Sequence, residues 1–182
     1  GFNMVTFDNV RVPKKNLVGE QNRGWYVGAT LLDFERSGVD YSAGGRRVLE
    51  ELIAYAKDND QNGSLIASNA IMRNRLADLA IEVDVSRLIS YNIAWMQGEG
   101  LVPNKESSMG KIVGTELQQH LSETGMQMLG LHGQLEPGSK YAPMQGRIEH
   151  MHLTNVSETI QAGTSEIQRN IIATRGLGLP RG

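Results

Sequence analysis

Cysteine is absent from the chain, which excludes disulfide cross-links and a thiol nucleophile and agrees with a reducing compartment. An excess of positive charge is missing as well. Against 20 Asp plus Glu stand 18 Lys plus Arg, for a formal charge of -2, so no basic field exists to hold a phosphate backbone and nucleic acid is excluded as a partner class. No run of eighteen apolar residues occurs, so no segment reads as an integral membrane span. The first residues also lack the charged region and apolar stretch of a secretory signal, and the expected location is the cytoplasm. The chemical signatures that most often name a function are missing too: no G-x-G-x-x-G, no phosphate-cradling G-x-x-x-x-G-K-[ST], no G-x-S-x-G nucleophile turn. His150 and His152 beside Glu149 make an H-x-H pair, but residues two apart on a helix face different sides, so no metal site is expected.

What is present is mostly helical periodicity. Phe2, Met4, Thr6, Val10 and Val12 alternate as in one or two short strands, broken at Asp8-Asn9 and stopped by Pro13. Isolated strands are unstable in water, so this stretch is either a small β appendage or the trailing edge of a sheet domain. From Asn22 the period lengthens. Trp25, Leu31, Leu32, Val39, Leu49, Leu52 and Ile53 lie on one stripe of a long helix reaching Ala56, with Gly44-Gly45 as a place of close packing or a bend. Turn residues Asn59 to Gly63 end it. A second helix runs from about Ser68 through Leu76, Leu79 and Val83 to Trp95, and a third carries Ile112, Leu117, Leu121 and Met128 up to Gly130. The fourth begins near Gly146 and reaches about Ile160. Thr164 or Ser165 can cap a fifth, with Gln168 at the capping-box position relative to Ser165, and Gly176, Gly178 and Pro180 stop it. The expected fold is all-α: an up-and-down four-helix bundle with an additional C-terminal helix and a short N-terminal β remnant.

Four stretches share their order and spacing with one family. They are Phe7-Asp8-Asn9-Val10-Arg11-Val12-Pro13 running on to Gly24-Trp25, Leu76-Ala77-Asp78-Leu79-Ala80, Gln127-Met128-Leu129-Gly130, and Gly163-Thr164-Ser165-Glu166-Ile167-Gln168-Arg169-Asn170-Ile171-Ile172-Ala173. The chain resembles the flavin-dependent acyl-CoA dehydrogenases over nearly its whole length. The resemblance implies that residues 1–20 are the terminal strand region of a middle β domain and residues 21–182 the C-terminal helical bundle domain. It also implies FAD as cofactor, an acyl-CoA thioester as substrate, an electron-transfer flavoprotein as electron acceptor, and formation of a 2,3-enoyl-CoA by α-proton abstraction and β-hydride transfer.

The usual family base stands just before the Gly of the G-T-S-E motif, where this chain has Ala162, which cannot accept a proton. A second family solution uses the acidic position of a D-x-E-R segment, here Asp33-Phe34-Glu35-Arg36. By this resemblance Glu35 is the candidate base and Arg36 a position near the CoA portion of the substrate. Gln127, Thr164 and Glu166 match family positions that contact the cofactor. The sequence departs from the family at an R-x-x-F-G segment, where Asn59 and Asn62 replace a cation and an aromatic ring, and at Leu131, which replaces the second Gly of an L-G-G turn. Such losses fit a heteromeric bacterial subset in which two related chains share the flavin sites, some acting on sterol side-chain thioesters. A heterotetramer with a homologous subunit is therefore expected, with a homotetramer as alternative. The competing expectation is a noncatalytic structural or cofactor-sharing subunit.

Overall fold

The computed structural model describes residues 3–35 and 38–180. Six α-helices follow one another: α1 Gly24–Glu35, α2 Val39–Asp58, α3 Ala70–Gly98, α4 Asn104–Leu129, α5 Arg147–Glu158 and α6 Ser165–Ile171. Between α2 and α3 lies a two-stranded antiparallel hairpin, β1 Asp60–Gln61 and β2 Ser64–Leu65. Helices α2 to α5 form the bundle, with α6 laid along α4. None of the described helices is long and apolar enough to cross a membrane.

The bundle closes around aliphatic residues placed at helical spacing. Leu52 of α2, Leu79 and Val83 of α3, Leu117 and Leu121 of α4, and Ile148 of α5 are almost completely buried. Each such side chain contributes about 1.5–3 kcal/mol of transfer free energy. The helix ends follow local chemistry. Asn69 caps α3 by accepting the N–H groups of Ile71 and Met72 at 2.9 and 3.3 Å, and the left-handed Gly100 with Pro103 turns the chain into α4.

The expected first helix from Asn22 to Ala56 is two helices. The break falls at Gly38, whose φ of 72° is a left-handed conformation that only glycine enters without cost, and α2 starts afresh at Val39. Gly38 lies against the Ser90 hydroxyl and the Gly110 carbonyl, so the turn is pressed onto α3 and α4. The Gly44-Gly45 pair, by contrast, does not interrupt α2. Gly45 is a close-packing position against Leu117 and Leu121, and Gly44 faces solvent.

The alternating residues near the N-terminus form no ladder within the described stretch 3–20; they are exposed, bend at Asn9 with φ 51°, and have no adjacent strand among the described residues. Phe2, which begins the alternation, lies outside the described residues. At the C-terminal side, Thr164 and not Ser165 caps α6, accepting the Ile167 N–H at 3.2 Å. Gln168 makes no capping box with Ser165. It is fully buried, and its amide donates to the carbonyls of Ala162 and Gly163 at 3.3 Å each.

Tyr41, on the first turn of α2, links packing to titration. A Cβ at Gly114 would fall 2.6 Å from its ring, so α2 and α4 touch through a missing side chain. We expect Gly114→Ala to destabilise the protein by about 1–3 kcal/mol. Gly44→Ala, which meets nothing within 4 Å, should gain up to about 1 kcal/mol of helix propensity. Urea unfolding of the two variants measures the contrast, and equal midpoints would refute it. Tyr41 also has its phenol pushed up to about 12, first by burial and then by the charges of Glu158 and Asp40 and its hydrogen bond to Glu158. Its folded-state value therefore exceeds the unfolded one. The associated stabilisation is complete below pH 10 and is lost as pH rises from 10 to about 12. For a half-exposed ring the loss should be about 1–2 kcal/mol after solvent screening. Tyr41→Phe should show a correspondingly shallower alkaline decline in unfolding midpoint, and an unchanged slope would contradict the assignment.

Candidate functional site

Residues from four places in the chain, the α1–α2 segment, the end of α3, the first part of α4 and the end of α5, lie at one end of the bundle. Glu35 is the last residue of α1 and is exposed. The Gln97 amide of α3 holds the neighbouring Phe34 carbonyl at 3.0 Å, so the end of α1 is tied to the end of α3. Arg36 lies outside the described residues. Six residues beyond Glu35, the Tyr41 hydroxyl donates to Glu158 Oε2 at 3.3 Å, joining the start of α2 to the last residue of α5. Lys111 of α4 donates from Nζ to the Glu158 carbonyl at 2.8 Å. Ala162, in the turn that follows α5, has φ 54° and precedes the left-handed Gly163. Its methyl side chain offers no proton acceptor, whereas Glu35 supplies a carboxylate at the same end of the bundle.

Thr164 and Glu166 stand just past that turn. The cap that Thr164 places on α6 directs its hydroxyl toward Glu166, whose carboxyl is held below the usual range by its own backbone N–H, then by Thr164, with Arg169 and Lys111 adding to the effect. Arg169 in turn pairs with Glu116 at 2.6 Å. Between α4 and α6 these residues and Gln119, Thr159 and Ser165 line an open cleft. The Ser165 hydroxyl is buried there with no hydrogen-bond partner.

Gln127 is elsewhere. It lies near the other end of α4, where its carboxamide oxygen accepts from Arg75 of α3, leaving its N–H groups to donate. At 1.5 Å per residue, the seventeen residues from Gly110, beside Gly38, to Gln127 span about 25 Å. The end of α2 is near Gln127: Asn59 caps it, donating to the Tyr55 carbonyl at 3.0 Å, and Gln61 of the hairpin approaches Gly130. Asn62 and Gly63, with φ 55° and 82°, make the two-residue turn of that hairpin, a conformation Asn tolerates far better than an aromatic residue does.

The sequence candidates therefore fall into two groups. Glu35, Thr164 and Glu166 belong to the end that holds the close of α1, the close of α5 and the start of α6, and Gln127 to the opposite end with the two substituted asparagines. Among the described residues no group of three or more His, Asp or Glu converges as metal ligands would, and His150 and His152 are two-apart neighbours on α5. Sequence reasoning missed Tyr41, Lys111 and Glu158. Only Lys111 left a signal, as a lone cation among Gly110, Ile112 and Val113 on an apolar stripe.

The donor set suits the polar portion of a flavin dinucleotide. At one end the Thr164 and Ser165 hydroxyls would donate to cofactor oxygens or ring nitrogens and the Glu166 carboxylate would accept from a ribose hydroxyl or an adenine amine, and at the other end the amide hydrogens of Gln127 would donate.

Comparison with known proteins places the fold in one family. Residues 22–177 match the family described as acyl-CoA dehydrogenase, C-terminal domain. Acyl-CoA dehydrogenase FadE26 of Mycobacterium tuberculosis is 33% identical over 180 residues, covering 96% of this chain and 45% of that protein. Among solved structures, the ChsE4-ChsE5 complex of M. tuberculosis superposes with a TM-score of 0.83 at 33% identity, over 97% of this chain and 46% of that one. The Tcur3481-Tcur3483 steroid ACAD does so with a TM-score of 0.82 at 30% identity, over 97% and 45%. The chain thus spans a little under half the length of the relatives it matches, and it belongs to the acyl-CoA dehydrogenase family, of which it carries the C-terminal helical domain.

Proposed function

We propose that this chain acts within an FAD-dependent acyl-CoA dehydrogenase that converts an acyl-CoA thioester to its 2,3-enoyl-CoA, with Glu35 as the base. One observation carries the assignment: Glu35 closes α1 at the end of the bundle where the G-T-S-E turn has only Ala162. Of the two positions from which the family draws its carboxylate, this is the one that retains it. Glu35 takes the α-proton, while hydride departs from the β-carbon. Bound flavin supplies the two-electron acceptor. Arg36 is proposed to lie near the CoA portion, and Gln127, Thr164 and Glu166 to hold the polar half of the cofactor. The protein's task is placement, because a positioned base and thioester remove most of the entropic cost of the encounter. In this arrangement residues 1–20 belong to the terminal strand region of a β domain and residues 21–182 to the helical domain.

The proposed partner is a homologous subunit in a heterotetramer. Asn59 and Asn62 stand where the family pattern has a cation and an aromatic ring, and a second chain would supply those two groups. Exposed apolar surface supports a partner as well: Trp25, Leu31 and Phe34 on α1, and Ile81, Leu88 and Trp95 spaced seven apart along the outer face of α3. Two solved relatives are two-component assemblies by name, and one of these is a steroid ACAD, which favours a bulky sterol-derived acyl group as the substrate class. Electron transfer to an electron-transfer flavoprotein and a cytoplasmic location complete the proposal.

Two measurements test it. Glu35→Gln keeps volume and helix packing but removes the carboxylate, so the flavin-loaded assembly should form normally. Anaerobic flavin reduction by a sterol-type acyl-CoA should slow by about 10²- to 10⁴-fold, roughly 3–5 kcal/mol. Reduction at the unsubstituted rate would remove Glu35 from its role and leave the noncatalytic, cofactor-sharing subunit as the better account. Native mass measurement after co-expression with a homologous subunit should find the mixed complex. An active, flavin-loaded homotetramer of this chain alone would defeat the partner assignment.

A further inference from the structure

Lys111 is the anomaly of the core. It is 3% exposed, in the second turn of α4 between buried Gly110 and Ile112. An ammonium is among the costliest groups to take out of water, and a methionine would fill the same volume without that cost. Its Nζ points at the last residue of α5, donating to the Glu158 carbonyl at 2.8 Å. That is where a helix leaves carbonyls unpaired and its dipole is negative, so a cation is matched there both as donor and as charge.

Glu158 is gripped a second time, by the Tyr41 hydroxyl on its carboxylate. The chain then enters a turn that is closed on itself. Gln161 N–H donates to the Ser157 carbonyl at 2.9 Å, Ser165 N–H to Thr159 at 3.0 Å, and the buried Gln168 amide spans Ala162 and Gly163. Such a closed turn moves as a unit, so its placement depends on its anchors. Gln119 of α4 holds Thr159 Oγ1 at 3.3 Å, and Lys111 holds the entry. The turn delivers Thr164 and Glu166, and Tyr41 belongs to the helix that begins just after Glu35.

We propose that Lys111 is a positioning residue of the reaction: through Glu158, and together with Tyr41, it sets the distance between the turn bearing Thr164 and Glu166 and the segment bearing Glu35. The proposal rests on the reading of Glu35 as the base. It explains why a charge is kept where packing alone would favour a hydrophobe. Lys111 contributes cation, hydrogen bond and reach from the central helix to a helix end that no neutral side chain of the same length would hold.

The test uses the flavin-loaded full-length assembly with Lys111→Met, followed by two readouts. Amide hydrogen exchange at Gln161 and Ser165 should quicken by at least about tenfold while that of Leu117 in α4 stays unchanged, because only the anchored turn opens. The maximal rate of flavin reduction by acyl-CoA should fall about tenfold or more with the half-saturating thioester concentration shifted less than about threefold, the pattern of a misplaced base and not of lost binding. Tyr41→Phe, which keeps the ring, should move both readouts the same way by a smaller factor, and it decides the matter if Lys111→Met fails to fold. Unchanged exchange in the turn, exchange raised equally throughout α4, or a loosened turn with normal reduction would each overturn the proposal. Glu35→Gln separates the two assignments: it should slow reduction without touching exchange at Gln161 and Ser165. Normal reduction in that variant, with Lys111→Met still loosened and slow, would end the base assignment while leaving the positioning role intact.

Discussion

Helix α4 has neighbours on nearly every side, packing on α2, α3, α5 and α6 at once, and that crowding dictates its composition. Where a helix is enclosed, its interaxial distances are set by the side chains at the crossings, and small residues bring neighbours in. The buried positions of α4 are accordingly dominated by Ser107, Ser108, Gly110, Gly114, Thr115, Ser122 and Gly125, with Leu117, Leu121 and Met128 filling the space between crossings. The hydroxyls cost little there because they fold back onto the helix itself: Ser108 bonds the Asn104 carbonyl, Thr115 that of Lys111 and Ser122 that of Gln119. A close-packed helix of this kind behaves as a rigid reference frame. Groups fixed to it are placed by the fold and not by loops.

That property makes the polar residues of α4 informative. Lys111, Glu116, Gln119 and Gln127 each reach a different partner: the end of α5, α6, the α5–α6 turn and α3. Gln118 reaches the Tyr41 carbonyl and accepts Asn155 of α5 on its own carbonyl, which stitches α2, α4 and α5 in one layer. Loop residues that carry a site are mobile by default because few apolar contacts hold them. In this chain the turn after α5 escapes that default through hydrogen bonds to α4 and through the buried Gln168, whose other polar atom, Oε1, has no partner.

The helical periods of α3 and α4 were legible from sequence because an enclosed helix repeats its apolar residues through several turns, and Asn62-Gly63 announced its turn because few other pairs enter that conformation. The break at Gly38 was not legible. Leu31, Leu32 and Val39 keep a helical spacing across it, and the conspicuous glycines fall later, at Gly44-Gly45, where they serve packing. Glycine in a sequence does not distinguish a bend from a close contact; only the position of Leu117 and Leu121 beside Gly45 does so. The N-terminal alternation was visible but its pairing was not, since a strand is defined by a neighbour and no neighbour lies within residues 3–20. At the site, the family pattern pointed to Glu35, Thr164 and Glu166, yet the grouping of these apart from Gln127 depends on how α4 runs, which spacing cannot supply across four helices.

The separation of Gln127 from Glu35 bears directly on how a complete site is assembled. Gln127 lies about 25 Å along α4 from Gly110, which packs beside Gly38 at the Glu35 end, and side-chain motion does not close such a gap, since a glutamine reaches only a few ångströms from its backbone. If both contact flavin, either one extended cofactor bridges them along the bundle or each belongs to a different cofactor shared with another chain. The surface of α4 permits either arrangement. Along α4 between them, Glu116, His120, Glu123 and Gln127 recur at three- and four-residue steps as one polar stripe, while Leu117, Leu121 and Thr124 turn inward. Sharing, in contrast, needs only that each end be completed separately, so that the end bearing Asn59 and Asn62 loses cofactor contacts without disturbing the end bearing Glu35. The residues of this chain are distributed in that way, with Asn59 and Asn62 at one end and Glu35 and the buried Lys111 at the other.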